Sequence, residues 1–215
     1  MKSYHQTRFV LQETRGVVWR TLAPYLQQRF PMGSRVLDLG CGYGDFINNI
    51  SGVERFAVDA SAEVSTSLDP HVQFRQLRLP GDLSVFGKQM SAVFASNLLE
   101  HLEREDIDCL LSATFDVLAP GGIFISLTPN FSRCATVYFN DFTHITPLTD
   151  VGLADWLSSK GFTISFCHPG FLPFSIKDSR LPVTPFLVRA WLASPFKPCG
   201  KQMLLVATKP WTSAQ

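Results

Sequence analysis

Val36-Leu37-Asp38-Leu39-Gly40-Cys41-Gly42-Tyr43-Gly44-Asp45 decides how the rest of the chain is read. Val36, Leu37, Leu39 and Gly40 surround a single acid, the composition of a short strand covered on both faces. Glycines at 40, 42 and 44 let the backbone turn sharply and approach a ligand, since no side chain intervenes. A buried strand running into such a turn, with a helix after it, predicts a nucleotide-type cradle at the carboxyl end of a parallel strand.

The spacing differs from the dinucleotide fingerprint G-x-G-x-x-G, whose third glycine would fall at 45, where Asp45 stands. Asp38 and Asp45 flank the turn, and a pyrophosphate on a helix N-terminus is not favoured beside anions. An acid at 38 suits an ammonium group. The turn therefore calls for a nucleoside with a cationic tail and no phosphate. Asp59 ends the next apolar run, Arg55-Phe56-Ala57-Val58-Asp59, where doubly wound folds grip a ribose diol.

The chain has 215 residues, a length suited to one domain with a sizeable core. Hydrophobic residues make up 46% and charged residues 17%, which describes a globular chain and not a disordered one. The formal net charge of +1 supplies no global field for nucleic acid. The five cysteines (41, 109, 134, 167 and 199) are odd in number and form no C-x-x-C pair, so reduced thiols in a cytoplasmic compartment are expected. Residues 1–8 carry no apolar signal core, and no stretch reaches the ~18 apolar residues of a membrane span.

Outward from the cradle, residues 7–29 carry apolar positions at helical spacing, with breaks expected near Gly16 or Pro24. A crossover helix is expected to begin at 45–50 with Phe46 and Ile47 facing the sheet. A strand follows at 55–59, then a short helix capped by Ser61. Further strands are expected at 72–77, 91–95, 123–127, 162–167 and 203–208, and helices at 106–118 and 149–160. Thr149 and Gly161 cap the latter helix, and 119–122 (Ala-Pro-Gly-Gly) stops the former and turns the chain. Residues 128–147 form a long connection rich in aromatic and polar groups, the kind of loop that carries function. Residues 168–200 are dense in proline and aromatic residues. That argues against regular strands and leaves a helix at 183–193 within a lid or partner-contacting insertion, including a homodimer contact.

Four elements, in order over roughly residues 34–165, closely resemble the class I S-adenosylmethionine-dependent methyltransferases. They are the D-x-G-x-G-x-G turn at 38–44, the acid at 59, Ser96-Asn97-Leu98-Leu99-Glu100-His101-Leu102, and Leu118-Ala119-Pro120-Gly121-Gly122. The resemblance implies a doubly wound, Rossmann-like α/β fold: a seven-stranded mixed sheet of order 3-2-1-4-5-7-6, the last strand antiparallel, with helices on both faces. Residues 1–215 form a single domain on this reading, with 1–30 as a helical cap over the cofactor mouth, where Tyr4, His5 and Arg8 are candidates for lining the site. The resemblance also implies S-adenosyl-L-methionine as cofactor, held by Asp38, Gly40, Cys41, Gly42, Gly44, Asp59, Ala60, Ser96 and Asn97. In relatives an acid often follows the third strand and meets the adenine amine. Here Gln76-Leu77-Arg78-Leu79 stands there, with no acid until Asp82, so either a backbone group or Asp82 serves the adenine, or the pocket is altered.

Asp141-Phe142-Thr143-His144-Ile145-Thr146-Pro147 resembles a D-x-T-H-x-x-P element of a methyltransferase subgroup. His144 is the candidate base, since an imidazole with ordinary pKa ~6.5 suits proton removal near neutrality. The competing reading is that it orders the loop. His101, Arg133, Tyr138 and Asp141 are candidate acceptor contacts. Glu100 reads as a cap or an arginine partner. Asp141 and His144 have no metal-specific spacing, and no metal is expected. The reading is methyl transfer to an oxygen or nitrogen of a small-molecule or carbohydrate-like acceptor, with no N-P-P-Y-type element for nucleic-acid bases. Its rivals are a non-catalytic binding module that keeps the cradle and a decarboxylase or aminopropyl transferase on the same scaffold.

Overall fold

Alternation along β1 (Arg35–Leu39) builds two cores at once. Leu37 and Leu39 enter one apolar cluster with Val93 and Ala95, while Val36 enters the other with Ala92 and Phe94. Successive side chains of a strand point to opposite faces, so a sheet apolar at every position must be covered on both. The computed structural model describes residues 13–30, 33–87, 89–173 and 184–211. The readings placed on Tyr4, His5 and Arg8, and on residues 174–183, lie outside those described.

The remaining strands are β2 (Glu54–Asp59), β3 (Val72–Gln76), β4 (Met90–Ser96), β5 (Leu118–Pro129), β6 (Thr163–Pro173) and β7 (Gly200–Thr208). They form one sheet of order β3-β2-β1-β4-β5-β7-β6, as expected. The first five are mutually parallel, and β7 runs antiparallel to both β5 and β6. The helices are α1 (Glu13–Gln27), α2 (Arg104–Val117), α3 (Phe131–Tyr138), α4 (Asp150–Ser159) and α5 (Pro185–Ala193). Leu110, Leu111, Leu153 and Leu157 of α2 and α4 cover one face; Leu22, Leu26 and Leu192 of α1 and α5 cover the other.

Several local expectations are corrected. Only a 3-10 turn, Ile47–Asn49, follows the cradle in place of a crossover helix. Asn49 Nδ2 donates to the Asp45 carbonyl at 2.8 Å and Asn48 Nδ2 to the Ser67 carbonyl at 2.8 Å, the competition that makes asparagine a poor helix former. Phe46 and Ile47 nonetheless face the sheet, and Phe46 stacks on Phe94 with ring centroids 3.9 Å apart. The Ser61 side chain makes no cap; its backbone N–H donates to Asp59 Oδ1 instead. Residues 118–122 belong to β5, because Gly121 and Gly122 exchange backbone hydrogen bonds with Lys209. β6 continues through Pro169 to Pro173; it is an edge strand with breaks in register, where proline is tolerated. α1 continues through Pro24. Thr149 caps α4 as expected, accepting from the Gly152 N–H.

Candidate functional site

The cradle is sewn to its neighbour strand by backbone donors. Gly42 N–H donates to Asp59 Oδ2 at 3.0 Å, and Cys41 N–H donates to the Val58 carbonyl at 3.0 Å. Gly40 has φ +64°, and a Cβ there would stand 3.0 Å from Leu98 Cδ1, so both conformation and space ask for glycine. Gly44 serves the turn itself: a Cβ there would lie 2.5 Å from Asn48 Nδ2.

Above the cradle lies a cavity of about 1130 Å³. Asp38, Gly40, Cys41, Gly42, Asp59 and Ala60 line it at one end, and Ser96 and Asn97 at the end of β4 continue the wall. Gly44 is not part of the lining. Small-molecule sites commonly occupy ~300–1,000 Å³, so this one is at the generous end of that range. Arg15 and Trp19 of α1 close one side, which the sequence reading did not single out by residue. Arg15 pairs with Asp45.

The wall of the cradle is acidic. Asp38 is buried, and desolvation, followed by repulsion from Asp45 and Asp59, holds its carboxyl well above the usual carboxylate range. A cationic ligand relieves both penalties; a phosphate would deepen them. At the far end Leu77, Arg78 and Leu79 line the cavity. Asp82 is exposed, caps the turn Leu83–Phe86 by accepting from Ser84 N–H at 2.8 Å, and is not among the lining residues.

The opposite wall is built by the loop after α3. Glu100 anchors it through its carbonyl, which accepts from Ile145 N–H at 2.9 Å and Thr146 N–H at 3.2 Å. Thr146 Oγ1 donates to the Leu102 carbonyl at 2.6 Å, and Tyr138 Oη donates to the Thr146 carbonyl at 2.6 Å. His101, Asp141 and His144 line the cavity. His144 is buried with Nδ1 2.8 Å from the Tyr138 carbonyl. A carbonyl only accepts, so Nδ1 carries the proton and Nε2 the lone pair. His101 Nδ1 lies 3.1 Å from the Thr143 carbonyl and 3.0 Å from the Thr143 hydroxyl. The His101 and His144 rings are 4.8 Å apart, and burial, then its neighbour His144, hold His101 below the ordinary histidine range.

Two candidate acceptor contacts are corrected. Tyr138 is fully buried and does not line the cavity; its ring packs 4.7 Å from that of His144. Arg133 is exposed and packs beside Gly170, away from the lining. Glu100, read as a cap or an arginine partner, is fully buried and accepts from Thr128 Oγ1 at 2.6 Å. Burial pushes its carboxyl up to about 7. The signal was its place beside His101 in the stretch after β4, but its inward direction is set by the fold.

A family model described as "Methyltransferase domain" matches residues 11–165. A protein of Mycolicibacterium smegmatis named as a probable S-adenosylmethionine-dependent methyltransferase is 30% identical over 140 residues, 61% of this chain and 53% of that protein. The chain thus spans about half the length of this curated relative. Among solved structures, a SAM-dependent methyltransferase from Archaeoglobus fulgidus aligns with TM-score 0.62 and 22% identity over 91% of this chain and 94% of that one. The putative methyltransferase in complex with the Trm112 methyltransferase activator of Haloferax volcanii aligns with TM-score 0.65 and 16% identity, over 93% and 92%. The CcbJ methyltransferase from Streptomyces caelestis aligns with TM-score 0.64 and 14% identity, over 90% of each chain. At these identities the structural likeness speaks to the fold.

Proposed function

Because this chain belongs to the methyltransferase-domain family, whose cofactor is S-adenosylmethionine, we propose that it methylates an oxygen or nitrogen of a small-molecule or carbohydrate-like acceptor. The observation that carries the reading is one continuous cavity, with the acidic cradle at one end and His101, Asp141 and His144 at the other. The acceptor class is supported by a chain with a net charge of +1 and by a wall that mixes these polar groups with apolar Val137 and Ile145.

The cofactor fits the residues present: a buried acid for its ammonium group, a second acid for its ribose diol, and glycines that let the chain approach. Bound there, it supplies a methyl group on a cationic sulfur. Asp38 orients the amino-acid tail, Asp59 the ribose, and the backbone of 77–79 the adenine edge. Ser96 and Asn97 close over the tail. Holding two reactants in line supplies much of the acceleration. His144, with Nδ1 tied to the Tyr138 carbonyl, presents Nε2 for the acceptor's proton.

Two outcomes test this. Once an acceptor is identified by following S-adenosylhomocysteine release, His144→Ala should lower kcat by about 10²–10⁴-fold, the usual share of proton transfer, with cofactor affinity kept. Full turnover in that variant would remove His144 from the chemistry. Cofactor affinity should also depend on pH through Asp38. Its carboxyl is raised in the free protein by desolvation and then by Asp45 and Asp59, and a cationic tail favours the ionised form, so binding at a pH below the raised value displaces a proton. Affinity for S-adenosylhomocysteine should therefore weaken as pH falls through the raised Asp38 value, and binding should release a proton. Calorimetry in two buffers of different ionisation enthalpy reads this directly; pH-independent binding without proton release would contradict it.

A further inference from the structure

Beneath the acceptor wall, three groups that accept hydrogen bonds or electron-poor ligands meet. A carboxylate oxygen of Glu100 and a ring nitrogen each of His101 and His144 lie within 4.8 Å of one another. They come from two stretches more than forty residues apart, joined because the Glu100 carbonyl pins the 145–146 backbone to the end of β4. Glu100 is fully buried, and its Oε1 has no hydrogen-bond partner among the described residues. Leaving a buried carboxylate oxygen without a partner is costly, so its retention beside two imidazoles asks for a ligand.

We propose that Glu100, His101 and His144 form a binding site for one divalent first-row transition-metal cation, with coordination positions open to the cavity. The donor set is two imidazoles and one carboxylate. Imidazole favours transition metals over Mg²⁺ and Ca²⁺, which prefer all-oxygen sites. The surroundings match what such ligands need. The Nδ1 atoms of both histidines meet backbone carbonyls, those of Thr143 and Tyr138, the kind of outer contact that orients a ligating imidazole. Thr128 Oγ1 holds the second oxygen of Glu100. Three ligand atoms around one cation bound at ~2.1 Å stand roughly 3.0–3.6 Å apart, so the most separated pair closes by up to about 1–2 Å when the ion binds. His101 and His144 line the cavity and Glu100 lies behind them, so open positions face the acceptor. A cation there would hold an acceptor hydroxyl and raise its acidity. His144 then acts by holding the ion, and metal dependence separates this account from direct proton removal. The ion's part in catalysis rests on the methyltransferase reading; its binding does not.

The test is Co(II) titration of the full chain after treatment with a chelator, followed by visible absorption and calorimetry. Saturable d–d bands at one equivalent per chain, without a sulfur charge-transfer band, are expected. Affinity should fall at least a hundredfold in Glu100→Gln and in His101→Ala. Binding of S-adenosylhomocysteine by each variant reports that the fold and the cofactor cradle survive, and its loss in the unmodified chain would count against the methyltransferase reading alone. No saturable band up to millimolar Co(II), a thiolate signature, or binding that survives both substitutions would overturn the proposal.

Discussion

Replacing Asp59 by alanine is expected to weaken binding of S-adenosylhomocysteine at least a hundredfold, a loss of about 3 kcal/mol. The size follows from how many groups depend on that carboxylate. Oδ2 accepts from Gly42 N–H and Oδ1 from Ser61 N–H, so the side chain holds the cradle and the start of the next connection together. Hydrogen bonds to a charged group contribute ~1.5–3 kcal/mol each, and alanine also leaves two backbone donors without that partner. On the proposed reading the ribose diol loses its acceptor as well. Asp59→Asn keeps the shape and part of the hydrogen bonding, so it should fall between the two. Calorimetry on all three proteins is the measurement. Unchanged affinity in the alanine variant would place the ribose elsewhere.

Phe46→Ala should have the largest effect on stability, about 3–5 kcal/mol. Phe46 is buried directly after the cradle, stacked on Phe94 of β4 and meeting Phe30 edge-on with ring centroids 6.3 Å apart. Truncation removes the transfer term of a whole ring and leaves a hole between rigid neighbours. Domains of this size are stable by only ~5–15 kcal/mol, so the loss should be plain in the urea midpoint. Phe46 also lines the cavity, so weaker cofactor binding should accompany it. A shift of under ~1 kcal/mol would show that Phe94 does not depend on this ring.

The cradle was legible because it rests on a local pattern, whereas the strand order came from the family resemblance and not from any periodicity in the chain. An apolar run ending in glycines can hardly be anything but a buried strand and turn, and Asp38 and Asp59 sit at strand ends where the chemistry of a doubly wound sheet places ligands. What escaped depends on tertiary direction. Tyr138 and Arg133 lie in the same stretch as His144 and carry plausible chemistry, yet one points into the core and the other to solvent. Residue type alone does not decide this on a short helix with a kink at Cys134. The missing crossover helix turned on two asparagines whose side chains found backbone partners, one of them the distant Ser67 carbonyl. Glu100 was seen but misjudged, because a carboxylate in a polar motif reads as exposed until Thr128 and the 145–146 backbone are found around it.

The place of β7 has a consequence for the order in which the molecule is made. Gln202 Nε2 donates to Asn97 Oδ1 at 2.7 Å, holding a residue with φ +48° at the mouth of β4, and Asn130 N–H donates to the Lys201 carbonyl at the start of α3. β7 also slides between β5 and β6, which otherwise do not touch as strands. A nascent chain can lay down β1 to β5 as they emerge from the ribosome, but it cannot set Asn97 or pin the base of the acceptor loop until residues 200–208 arrive. Until then the β5 edge stays open, and competence waits on β7.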